Sequence, residues 1–161
     1  MLESRAGSDV WRWPMDSHDI IILGGGLIGQ TMALALDLHG ITSVVIDPVD
    51  PAGTLTTEFD GRVAAISSSS WKMFDALGIG PKMRAEARPI HRIEVRDGAD
   101  GRPLDFEADD TDNPLGLMLE NRVLRRELWA MLQDAQNVTR KFGVTADSLD
   151  RGDHRVEARL S

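Results

Sequence analysis

Three glycines and one aspartate have the types and spacing to do chemistry. Gly24, Gly26 and Gly29 form a Gly-x-Gly-x-x-Gly series, and Asp47 stands 18 residues beyond the last of them. That spacing suits the pyrophosphate of a dinucleotide. Gly24 permits a tight turn. Gly26 keeps a Cβ away from the backbone N–H groups that approach phosphate, and Gly29 lets a helix pack closely on a strand. Phosphates would then lie at a helix N-terminus, where unpaired N–H groups and the helix dipole favour negative charge. Leu27 and Ile28, within the same turn, complete the candidate set there. An Asp47 carboxylate can accept hydrogen bonds from both hydroxyls of an adenosine ribose, and it would repel a 2′-phosphate. Each residue also has a plain structural reading: the glycines as turn and packing residues, Asp47 as a cap ahead of Pro48.

The elements needed to position these residues are legible around them. Residues 19–23 form a short Ile-rich run that predicts a buried parallel strand. Residues 27–38 are rich in helix formers, and Gly40 is placed to end that helix. Residues 43–46 are a second β-branched run. Strand, glycine turn, helix and strand within about 30 residues make a βαβ unit. Residues 48–61 read as a loop and 67–77 as a helix capped by Ser67 or Ser68, with Gly78 or Gly80 as its stop. Residues 90–96 and 103–107 alternate and predict a hairpin. Residues 115–119 are a short apolar run, and 121–135 form an amphipathic helix with Leu124, Leu128, Met131, Leu132 and Ala135 on one stripe. Alternation is weak around Val138, Phe142 and Val144, and again at Val156, Ala158 and Leu160.

The remaining features mostly exclude. The chain has 161 residues, 42% hydrophobic, with a net charge of −8, which suits one domain and argues against a nucleic-acid partner. Absence of Cys removes disulfides, thiolate chemistry and Cys-type zinc sites. No apolar run is long enough to span a membrane, and the N-terminus lacks the apolar region of a signal peptide. Residues 1–16 read as a disordered extension, with Met15 a candidate start. The seven acids and one Arg of residues 97–112 lack EF-hand spacing and read as a solvated loop and hairpin tip. His18, His39, His91 and His154 have neither metal-ligand nor triad spacing, so no metal site and no catalytic acid or base is assigned. Trp71 and Trp129 lie on helical stripes and read as core. The chain stops inside an alternating stretch, so a fragment of a longer polypeptide is expected. The βαβ unit alone does not choose between NAD and FAD, since both present an ADP half. The segment 60–67, reached through a loop rather than directly through a helix, argues against an NAD domain.

The sequence resembles the FAD-dependent aromatic hydroxylases of the p-hydroxybenzoate hydroxylase type, and among them the ubiquinone-biosynthesis hydroxylases. The resemblance rests on residues 19–47, on Asp60-x-Arg62-x-x-Ala65-Ile66-Ser67 with Leu77-Gly78 after its helix, and on residues 115–128 with their Glu120-Asn121 pair. It covers about residues 17–160 and is thin after Ala135. It implies an α/β fold: a Rossmann-like FAD-binding βαβ domain, incomplete, spanning 17–161, with meander strands starting a second sheet and 90–119 contributing to a substrate-side sheet. It implies that Arg62 lies along the FAD pyrophosphate or ribityl region, where a guanidinium suits a diphosphate. Asn121 would touch the ribityl or phosphate; the plainer readings are a surface ion pair for Arg62 and an N-cap for Asn121. Asp47 where the family has Glu, and Asn121 where many members have Arg or Gln, are departures. The family's later motifs, Gly-Asp-Ala with a Pro/Gly-rich stretch and a mid-chain Asp-Gly, are missing, and members run to about twice this length or more. The implied reaction uses NAD(P)H to reduce FAD and transfers an OH to a small aromatic or prenylated phenol, a ubiquinone precursor. A cytoplasmic location with peripheral membrane contact follows for such a substrate, although no basic amphipathic helix here would supply the contact. This chain is expected to grip the ADP half, to retain FAD weakly or not at all, and to be inactive alone. The alternatives are an NAD-linked oxidoreductase and a non-catalytic dinucleotide-binding remnant.

Overall fold

A computed structural model describes residues 16–98, 101–109 and 113–161. The expected extension 1–16 therefore lies outside the described residues except for Asp16, whose carboxylate pairs with Lys141 Nζ at 2.9 Å. The βαβ unit forms as its sequence predicts. Strand β1 (Ile20–Leu23), helix α1 (Leu27–Leu38) and strand β2 (Ser43–Asp47) follow in order, and β1 and β2 pair in parallel from Ile20 with Ser43 to Leu23 with Ile46. Gly40 takes φ +70°, a left-handed conformation that costs glycine little, and closes α1. Helix α1 buries Ala33, Leu34 and Leu36, and β2 buries Val44, Val45 and Ile46.

The weakly alternating segment after residue 137 becomes the third parallel strand. Strand β8 (Val138–Phe142) pairs with β2 from Ser43 with Val138 to Asp47 with Phe142, giving the order β1-β2-β8. Asn137 locks it in place: its N–H donates to Asp37 Oδ1 at 2.7 Å, and its carbonyl accepts from Ser43 N at 2.8 Å. Helix α4 (Asn121–Asp134) leads into β8 and packs on α1. It buries Val123 as well as the expected Leu124, Leu128 and Leu132, with Met131 and Ala135 packed at the margin.

Between β2 and α4 lies a second, antiparallel sheet. Strand β3 (Val63–Ser67) pairs with β7 (Gly116–Glu120), and β4 (Arg88–Ile90) flanks β7 on its other edge. Helices α2 (Ser68–Ala76) and α3 (Gly80–Met83) connect β3 to β4. Ser67 is the cap, its hydroxyl accepting from Ser70 N, and Gly78 at φ +75° follows the helix end. The predicted strand 90–96 is two strands broken at His91. Its second part, β5 (Arg92–Val95), pairs with β6 (Leu104–Glu107) in a separate hairpin whose Ile93, Val95, Leu104 and Phe106 are exposed. Alternation marked that hairpin correctly but could not show that its apolar face lies off the core. Strands β9 (Ala146–Arg151) and β10 (Val156–Leu160) form another hairpin. The main core runs from α1 and β2 through Trp71, Phe74, Ile79 and Met83 to β7 and α4. Trp71 is a core residue, and Trp129 packs on Phe142 with ring centroids 5.7 Å apart.

Candidate functional site

The three motif glycines do separate jobs. Gly24 has φ +109°, and its N–H continues the β1–β2 ladder by donating to Ile46 O at 2.8 Å. A Cβ on Gly29 would drive into the Gly24 carbonyl, so this position needs glycine for helix–turn contact. A Cβ on Gly26 would meet nothing within 4 Å, which leaves the mouth of the turn open. Gly26 is the N-cap of α1, no side chain caps the helix, and its first turn holds no acid. The leading N–H groups of α1 are thus left for an anion.

Asp47 sits at this turn, at the end of β2. Its Oδ2 accepts from Gly25 N at 2.6 Å and its Oδ1 from Val49 N at 2.7 Å. The carboxylate therefore clamps the glycine turn to the strand end, combining the expected location with the cap-like bonding that Pro48 suggested. Gln30 braces the turn from below: Nε2 donates to Gly25 O at 2.7 Å, while its buried Oε1 has no partner among the described residues.

Gly25, Gly26, Leu27, Gln30 and Asp47 form one wall of a cleft of about 350 Å³. Val49, Pro51, Thr54 and Leu55 line it from the loop after β2, and two arginines, Arg62 and Arg125, complete the lining. Asp60 organises this cationic wall. Its Oδ1 accepts from Arg62 N at 3.0 Å, and its Oδ2 lies 3.5 Å from Arg125 Nη1. Among the described residues no carboxylate pairs with the Arg62 guanidinium. The first turn of α4 holds the same loop: Arg122 Nη1 donates to Thr57 O at 2.7 Å and Asn121 N to Arg62 O at 3.1 Å.

Of the sequence-predicted set, Gly26, Leu27, Asp47 and Arg62 line one cleft, and Gly24 and Gly29 shape its turn. Ile28 is not part of that lining and is 84% exposed. Asn121 stands beside the cleft rather than in its lining; the N-cap of α4 is Glu120, and Asn121 Oδ1 is buried without a partner among the described residues. Sequence reading missed Gly25, Gln30 and Arg125. Gln30 was findable as a polar residue on the buried stripe of α1 with Ala33 and Leu34. Arg125 was findable as the residue one helical turn beyond Asn121. Among the described residues no cluster of His, Asp or Glu is arranged to hold a metal ion.

A parallel βαβ unit whose open glycine turn shares a cleft with two arginines defines a dinucleotide-binding protein, and comparison with known proteins names the cofactor. The FAD binding domain family matches residues 17–161, and the chain belongs to that family. Its cofactor is FAD. Ubiquinone hydroxylase UbiL of Rhodospirillum rubrum is 35% identical over 143 residues, covering 89% of this chain and 33% of that protein. The 3-demethoxyubiquinol 3-hydroxylase of Escherichia coli is 32% identical over 145 residues, covering 88% of this chain and 37% of that one. The chain thus spans about a third of the length of these relatives. Among solved structures, p-nitrophenol 4-monooxygenase PnpA of Pseudomonas putida matches with TM-score 0.67 at 23% identity over 88% of this chain and 35% of that one. The flavin-dependent monooxygenase PieE, solved with FAD and substrate, matches with TM-score 0.64 at 24% identity over 90% of this chain and 28% of that one. At these identities the structural likeness establishes the fold.

Proposed function

We propose that this chain holds the ADP half of FAD in a flavin-dependent monooxygenase that uses NAD(P)H and hydroxylates a phenolic ring, a ubiquinone precursor. The observation that carries the cofactor placement is the convergence of the uncapped α1 N-terminus, the open Gly26 and two arginines, Arg62 and Arg125, on one cleft. The residues fit the group: N–H donors and cations for a diphosphate, and a carboxylate at the strand end for a ribose. Bound flavin supplies the redox and oxygen chemistry. The α1 amides and Arg62 bind and orient the diphosphate. Asp47 keeps the turn in shape and presents its remaining lone pairs to the sugar hydroxyls. Gly24 and Gly29 set the turn geometry, Leu27 lines the nucleotide wall, and Asn121 steadies Arg62 through its backbone bond. Ile28, outside the cleft, supports no contact from this chain's own geometry.

The substrate reading is supported by the names of the two relatives, a ubiquinone hydroxylase and a 3-demethoxyubiquinol 3-hydroxylase. Residues 90–119 would contribute the substrate-side sheet. No helix among the described residues is long and apolar enough to cross a membrane. A prenylated substrate would call for peripheral contact of the longer polypeptide with a membrane surface.

Two measurements test the proposal. Titration of this chain with ADP and with FAD, followed calorimetrically up to millimolar ligand, should show saturable binding of ADP. Binding of neither ligand by folded protein would overturn the cofactor reading. The polypeptide carrying the remaining two thirds of the relatives' length should consume NAD(P)H and hydroxylate a prenylated phenol. Failure of every phenol tested, with flavin bound, would overturn the substrate reading alone.

A further inference from the structure

We propose that Arg125 is a second cation for the cofactor diphosphate, and that Asp60 holds it ready until phosphate displaces the carboxylate. This rests on the FAD reading above. Arg125 is on α4, Arg62 leads into β3, and both line the cleft that the glycine turn opens into. The Arg125 side chain is only 26% exposed, and Asp60, its ion-pair partner at 3.5 Å, only 22%. A partly buried guanidinium keeps its charge, so it needs an anion nearby. Asp60 is that anion here, but the contact is long for a charge-assisted bond, which ordinarily closes to about 2.7–2.9 Å. One Nη contact at that length leaves most of the five donors of the guanidinium for another acceptor.

A loop staple is the competing explanation, and the loop already has two. Arg122 binds Thr57 O and Asn121 N binds Arg62 O, both at ordinary hydrogen-bond lengths. Asp60 also fixes its own turn through Arg62 N. The carboxylate thus touches the backbone of one cleft arginine and the guanidinium of the other, and its charge opposes an anion that approaches Arg125. Arg125 exchanges this carboxylate for phosphate oxygens when the nucleotide binds. Removing the Asp60 charge then favours the nucleotide, but only while Arg125 is present to receive it.

The test measures binding of ADP and of adenosine to the full 161-residue chain by calorimetric titration up to millimolar ligand, with circular dichroism and thermal unfolding as folding controls. Arg125→Gln should weaken ADP about tenfold, the size of one charge-assisted hydrogen bond, and leave adenosine unchanged. Arg125→Lys, which keeps the charge without the fork, should fall between, and it serves if the Gln variant does not fold. Asp60→Asn, which retains an acceptor for Arg62 N, should tighten ADP about threefold, the modest gain expected from removing one like charge. The gain should vanish in the Asp60→Asn/Arg125→Gln double variant. Unchanged ADP affinity in folded Arg125→Gln, or a weakened Asp60→Asn, would show Arg125 to be a loop staple only. Wild-type protein that binds no ADP overturns the FAD reading itself, an outcome distinct from either.

Discussion

At the end of β2, Asp47 works as a clamp on the backbone. Both its oxygens reach backbone N–H groups, Gly25 on one side and Val49 on the other. Hydrogen bonds to charged groups contribute about 1.5–3 kcal/mol each, and the exposed one from Val49 contributes less, so Asp47→Ala should destabilise the chain by about 2–4 kcal/mol in urea unfolding and lower ADP affinity as the turn loosens. Wild-type stability in that variant would show that the clamp is idle. Asp19 offers a pH readout. The Thr42 hydroxyl, at 2.7 Å, and the Thr42 amide, at 2.9 Å, hold its carboxyl below the ordinary aspartate range. A depressed carboxylate stabilises the fold above its unfolded pKa, and that contribution is lost as pH falls through the folded value. Asp19→Asn should therefore flatten the decline in stability below about pH 4. Equal acid limbs for the two proteins would contradict this. At the residue scale the motif glycines and Asp47 were legible because turn conformation and charge are local properties, whereas Arg62 was reached through the family resemblance. Gln30 and Arg125 were not, because their roles depend on what they face.

The elements divide by how local their signals are. Helix α1 matches its predicted span because glycines bracket it and its stripe is continuous. Helix α4 is nearly as clear, and its stripe is buried against α1 and β7. Leu128 is fully buried, so Leu128→Ala should cost about 2–5 kcal/mol as a cavity opens between α4 and the sheets. A loss below 1 kcal/mol (~) in chemical unfolding would mean that α4 collapses onto the gap or is not packed as described. Strand β8 is the contrasting case. Its five residues include Thr139, Arg140 and Lys141, and its partner β2 lies far back in the chain. Parallel pairing across such a distance leaves no turn signature, and a partly exposed edge strand tolerates polar residues.

For the whole molecule, the parallel and antiparallel sheets share one core, while the β5–β6 hairpin stands apart from it. Ile93 and Phe106 face each other across that hairpin and are 43% and 47% exposed. The double substitution Ile93→Thr/Phe106→Thr should cost under about 1 kcal/mol, far less than Leu128→Ala, in the same unfolding assay. A larger loss would place the hairpin within the cooperative core. The sequence by itself determined the βαβ unit, the glycine turn, the position of Asp47 and the amphipathic α4, because periodicity, chain-turn chemistry and capping act over a few residues. Tertiary structure alone decided that β8 completes the parallel sheet and that residues 60–62 meet α4. The same folding places Gln30 beneath the turn and turns Arg125 toward the cleft. Those arrangements arise where segments distant in the chain bury a common surface, and no local pattern encodes which surfaces will meet.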